Sequence, residues 1–133
     1  MATWNESLKI GVPLIDVQHQ QLFDQMDLLV DSIRNKKDFK QIKNILHFLK
    51  MYVANHFGYE EQCMHLYKCP MAGQNQLAHL YFNKRLTEIE VLVDSAQSLD
   101  HVADKVSQEL IHWFVNHVRG IDSNLGPCAQ PTG

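Results

Sequence analysis

The sequence has little with which to interrupt a helix and nothing with which to cross a bilayer. Its six glycines and four prolines gather mainly at the two ends and in one connection, Pro70 to Gly73. Long uninterrupted stretches joined by short turns follow from that distribution. No apolar run approaches the ~20 residues of a membrane helix. The opening segment, MATWNESLKIG, lacks both the basic and the apolar part of a secretory signal, so a cytoplasmic chain is expected. A large excess of charge of one sign is absent as well. A net charge of −3 and a pI near 6.2 argue against nucleic acid or an anionic membrane surface as the main partner. Cysteine is sparse. Cys63, Cys69 and Cys128 are odd in number and form no C-x-x-C pair, and the expectation is reduced thiols rather than a disulfide frame or zinc ribbon.

What the chain does have is apolar residues at helical spacing. Its 133 residues fit one domain, and 45% of them are apolar, enough for a compact core. The reading is all-α: an N-terminal arm over 1–13, then helices over about 16–35, 39–67, 74–95 and 100–119, with a flexible tail over 126–133. Asp16 is expected to cap the first helix, Asp38 with Gln41 the second, and Ser98 or Asp100 the fourth. Apolar residues alternate at spacings of four and three, as in a bundle seam. The first stripe is Ile15, His19, Leu22, Met26, Leu29 and Ile33. The second runs from Ile42 through Val53, His56, Glu60 and Cys63 to Tyr67. The third is Asn75, His79, Phe82, Leu86, Ile89 and Val93, and the fourth is Val106, Leu110, Trp113 and His117.

Eight histidines are many for this length, and four of them interrupt these stripes. One seam histidine is ordinarily a hydrogen-bonded core residue; one on every helix asks for another explanation. In an up-down-up-down bundle the start of helix 1, the end of helix 2, the start of helix 3 and the end of helix 4 share one end. His19, His56, Glu60, His79 and His117 stand at those places. Imidazole and carboxylate donors without thiolate suit iron, manganese or zinc. His56 and Glu60, four apart, project from one helix face. His117 and Asp122, five apart, miss a common face by about 140° in a regular helix unless the backbone turns, and Gly120 is the expected break. His47, His65, His101 and His112 fall off the seam and are expected at the surface. Tyr59 and Tyr67 read as core filling.

Three segments carry a resemblance. W-N-E-S-L-K-I-G-V-P-L-I-D-V-Q-H-Q-Q-L-F, ending at Phe23, H-F-G-Y-E-E from His56 to Glu61, and W-F-V-N-H-V-R-G-I-D from Trp113 to Asp122 occur in order over residues 4–125. The chain resembles the bacteriohemerythrins. That resemblance implies two non-haem iron ions under an oxo or hydroxo bridge, with Glu60 and Asp122 bridging. His19 and His56 would hold the iron with the open position for dioxygen, and His79 and His117 the other. Phe114, Leu22, Phe23 and Trp113 would line the O2 pocket, with Phe114 bulkier than the family's usual aliphatic residue there.

One position departs from the family. Asn75 stands where the first histidine of an H-x-x-x-H pair is expected. It leaves open ligation through its carbonyl oxygen, through a water, a weakly held second iron, or a mononuclear site. The function implied is reversible O2 binding for storage, transport or delivery, with an O2-consuming acceptor protein as partner. The alternative is an O2, NO or iron sensor, or an iron-handling protein. The chain is not expected to be an enzyme; weak peroxidase or oxidase side activity is the third reading.

Overall fold

A computed structural model describes residues 3–95, 99–125 and 128. Four long helices make an up-and-down bundle: α1 (Pro13–Arg34), α2 (Phe39–Leu66), α3 (Ala72–Ser95) and α4. The last is a succession of Asp100–Lys105, a π-helical stretch Val106–Ile111, and His112–Gly120. Short 3-10 turns flank the bundle at Glu6–Leu8 and Asp122–Asn124, and there is no strand among the described residues. Helix α1 packs against α2 and α4, and α3 packs against the same two, so the four helices occupy the corners of a square.

The helix ends follow local chemistry, with some corrections to the sequence reading. Helix α1 starts at Pro13, three residues earlier than expected, because a proline at the first helical position is already set at helical φ and lacks the N–H that would go unpaired. Asp16 is therefore not its cap. Its carboxylate instead accepts the buried Ile10 N–H at 2.8 Å, tying the arm to α1. Asp38 does cap α2, accepting from the Gln41 N–H at 2.8 Å. Leu99 takes the N-cap of α4 without a side-chain bond, and Ser98 lies outside the described residues. Both α1 and α2 end in a Schellman turn without glycine. Lys36 and Lys68 take φ of 55° and 53°, and Lys37 N–H and Cys69 N–H reach back to Ser32 and Met64 carbonyls.

The seam is closely as expected over most of its length, from Ile15 to Ile33, Ile42 to Glu60 and Asn75 to Val93. It departs at two places. A 3.6-residue helix drifts ~20° per heptad against a strict seven-residue stripe. By the end of α2 the buried position has accordingly moved to Met64, with Cys63 half-buried and Tyr67 exposed. In α4 the π-helical turn adds backbone between Val106 and Ile111. Phe114 becomes the fully buried residue there, and Trp113 sits at the flank.

The cysteine expectation is overturned. Cys69, in the α2–α3 connection, is disulfide-bonded to Cys128, with Cα atoms 5.8 Å apart. Only Cys63 is a free thiol. The turn after α2 and the chain beyond α4 arrive at the same end of the bundle, within bridging distance. Of the expected flexible tail, Cys128 is thus fixed to the bundle; residues 126, 127 and 129–133 lie outside the described ones.

Candidate metal centre

Each helix delivers one imidazole to the same end of the core. His19 from α1, His56 from α2, His79 from α3 and His117 from α4 are all buried, as are Glu60, Asn75 and Asp122. His47, His65, His101 and His112 are exposed. Asp122 reaches the cluster from the 3-10 turn after α4. The backbone turn that aims it falls at Ile121 (φ −110°, ψ −56°), one residue beyond Gly120, which is still helical. A Cβ on Gly120 would meet nothing within 4 Å, so a glycine is not needed there.

The two carboxylates divide the cluster in half. Glu60 Oε2 lies 3.3 Å from His19 Nε2 and 3.5 Å from His56 Nε2, while its Oε1 lies 3.1 Å from His79 Nε2. Asp122 repeats the arrangement, with Oδ2 at 3.2 Å from His19 Nε2 and Oδ1 at 3.0 Å from His117 Nε2. Each carboxylate therefore offers one oxygen to a His19/His56 half-site and the other to a His79/His117 half-site. Donor atoms of His19, His56 and Glu60 lie within 4.8 Å of one another, and so do those of Glu60, His79, His117 and Asp122.

The outer nitrogens decide what faces inward. His56 Nδ1 lies 2.7 Å from Gln18 Oε1, an oxygen that only accepts, so Nδ1 carries the proton and the Nε2 lone pair faces the cluster. His79 Nδ1 donates likewise to Glu61 Oε2 at 3.1 Å. Its Nε2 then confronts His117 Nε2 at 3.2 Å and Glu60 Oε1. Lone pairs and carboxylate oxygens crowded at about 3 Å repel unless a positive charge stands among them. Buried, unpartnered atoms make the same point: His19 Nε2, His56 Nε2, Glu60 Oε2 and both Asp122 oxygens have no hydrogen-bond partner. Without a metal, that charge is a proton. Burial opposes it, but the Asp122 and Glu60 carboxylates prevail and raise His19 to a pKa of about 9. Burial pushes His56 below its ordinary value. Glu60, which burial alone would raise, is held well below the usual carboxylate range by His19, His56 and His79. The donor set fits divalent iron, manganese or zinc.

Aromatic rings close the centre from water. Phe57 stacks on His79 at 3.7 Å, and Trp113 stacks on His117 at 4.7 Å. Phe114 makes an edge-to-face contact with His19, the ring centres 5.5 Å apart, and its centre lies 6.4 Å from that of His56, 6.1 Å from that of His117 and 5.1 Å from that of Phe23. Leu22 is fully buried on the same face of α1. Of the four expected pocket residues, Phe114 and Phe23 gather over the His19 side, and Trp113 belongs to the His117 side. The sequence reading did not single out Gln18, Glu61 or Phe57. Each directly neighbours a ligand candidate in sequence, but adjacency alone does not show which ring it meets.

A square bundle with imidazole and carboxylate donors converging at one end has the donor set of a cation-binding four-helix protein. The Hemerythrin HHE cation binding domain matches residues 10–129, and the chain belongs to the hemerythrin family. A bacteriohemerythrin of Pseudomonas paraeruginosa is 27% identical over 120 residues, which cover 90% of this chain and 76% of that protein. One from Clostridium acetobutylicum is 23% identical over 122 residues, covering 90% and 91%. A myohemerythrin of Sipunculus nudus is 26% identical over 119 residues, covering 90% and 86%. No helix among the described residues is long and apolar enough to cross a membrane.

Proposed function

We propose that the chain is a non-haem diiron protein that binds dioxygen reversibly, for storage, transport or delivery. The observation that supports this reading most is the split of both carboxylates between two pairs of imidazoles. His19 and His56 would hold one iron, His79 and His117 the other, with Glu60 and Asp122 bridging and an oxo or hydroxo group completing the bridge. Two ferrous ions together supply the two electrons on which reversible dioxygen binding draws. The protein's share is steric and electrostatic. Phe114, Phe23 and Leu22 keep water from the His19 side, where a diatomic ligand would enter. Gln18 and Glu61 fix the ring tautomers, so that each Nε2 presents a lone pair inward. The histidine-rich set favours binding over substrate oxidation, which is why a non-enzymatic role is proposed.

A second reading, an O2, NO or iron sensor or an iron-handling protein, is favoured by one observation: Asn75 stands in the donor shell and is bonded to Glu60. Iron analysis tests the first reading. Two iron ions per chain are expected, with an optical spectrum of the reduced protein that changes on exposure to air and returns on removal of oxygen. Glu60→Ala should lose most of the iron, since its carboxylate faces both half-sites. Iron content unchanged in that variant would remove Glu60 from the ligand set.

A further inference from the structure

Asn75 is a fully buried amide at the metal end of α3 that the proposed centre does not use. Its Nδ2 donates to Glu60 Oε1 at 3.1 Å. Because a carboxylate only accepts, this bond fixes the amide orientation: the NH2 end faces Glu60 and Oδ1 faces elsewhere. Asn75 Oδ1 has no hydrogen-bond partner although no solvent reaches it. One turn along α3, His79 directs Nε2 into the same half-site. A polar atom is thus left unpaired, at the rim of a donor cluster, in a position where desolvation is costly unless something bonds to it.

The donors of the two half-sites balance. His79 Nε2, His117 Nε2, Glu60 Oε1 and Asp122 Oδ1 make up one side. His19 Nε2, His56 Nε2, Glu60 Oε2 and Asp122 Oδ2 make up the other. Octahedral ions with such donors take about six ligands. Two nitrogens, two carboxylate oxygens and one shared bridging atom leave one position on each ion. On the His79/His117 side that position falls to the neighbourhood of Asn75.

We propose that the His79/His117 half-site carries an exchangeable ligand position beside Asn75, filled by water or a small anion of two or three heavy atoms. The centre then offers two exchangeable positions, one per metal. Asn75 serves it in two ways. Its NH2 holds Glu60 Oε1 toward the metal and has a second hydrogen for a bound anion, while Oδ1 accepts from a protonated ligand such as water. This inference rests on the dimetal reading, and the test separates the two.

The apoprotein is loaded with Co(II), whose visible absorption reports coordination number without redox chemistry, and cobalt is counted before azide is added. Two cobalt ions per chain are expected, then two azides per chain in two resolved steps. Asn75→His places an imidazole donor at the position and should cut the second azide, leaving one. Asn75→Asp, nearly the same shape, should do the same with a carboxylate if the histidine variant does not fold. Two cobalt ions with a single azide in the unaltered protein would overturn the proposal and leave the dimetal reading standing. Fewer than two cobalt ions would overturn the dimetal reading, and the proposal with it.

Discussion

The two outer hydrogen bonds at the centre are chemically unequal. His56 donates to a neutral amide, Gln18, and His79 to a carboxylate, Glu61. A carboxylate partner makes imidazole a stronger donor, so Glu61 strengthens the half-site beside Asn75. Glu61→Gln should weaken metal binding at that half-site by about 10–100-fold, measured by chelator competition, and leave the His19/His56 half-site near its original affinity. Equal loss at both would show a general structural effect. His19 supplies a second prediction. In the cation-free protein its pKa is raised to about 9 from the ordinary 6.5. A raised folded-state pKa stabilises fully below about 6.5, and that contribution is lost as pH climbs through 9. The melting temperature of the cation-free protein should therefore fall between those pH values. A metal held by His19 Nε2 would take the proton's place, so the loaded protein should show a much flatter profile, and uptake at neutral pH should release a proton to buffer. At this scale five of the six converging residues stand out in the sequence, because each breaks an apolar stripe. Asp122 lies beyond the last stripe and is suggested only by its spacing from His117 and by the resemblance. The orientation of Asn75 could not be read there, since it depends on which oxygen of Glu60 it meets.

Among the elements, sequence pattern and structure agree where one period runs unbroken and part where the backbone changes step. The four helices follow from apolar spacing, and the start of α2 from Asp38. The π-helical turn in α4 leaves no mark in the sequence, because V-S-Q-E-L-I is compatible with an ordinary helix, and so the regular stripe runs through Trp113 although Phe114 holds the inner place. The disulfide was equally hidden. Cys69 and Cys128 are 59 residues apart in sequence, and only the packing of the helices brings them together. Closing a loop of that size stabilises by about 4 kcal/mol in chain-entropy terms. Cys128→Ser should lower the melting temperature of the oxidised protein, and a dithiol reductant should lower that of the parent by a similar amount. No change in either would mean that the bond adds nothing to the fold. Leu125, fully buried, anchors the chain just after Asp122 independently of the disulfide. Iron content should thus fall less in Cys128→Ser than in Glu60→Ala.

For the molecule as a whole, the centre is a joint as well as a site. All four helices contribute a buried imidazole to it, so any cation bound there favours the folded chain over the unfolded one by mass action, by about 2.7 kcal/mol at a hundredfold excess over its dissociation constant. The up-and-down topology that made this convergence legible also sets an order in the chain. The first donor, His19, comes early, and the last, Asp122, comes after every helix has been made. A chain cut after Ile121 keeps all four helices and all four imidazoles, and lacks one carboxylate, Leu125 and the disulfide. Such a chain should form the bundle with a lowered melting temperature and retain less than half the normal metal, measured by elemental analysis beside circular dichroism. Normal metal content would show that Asp122 is not a ligand. Because the last donor follows all the helices, loading reports completeness: a fragment that stops short of residue 122 can be helical, but it cannot assemble the full ligand set.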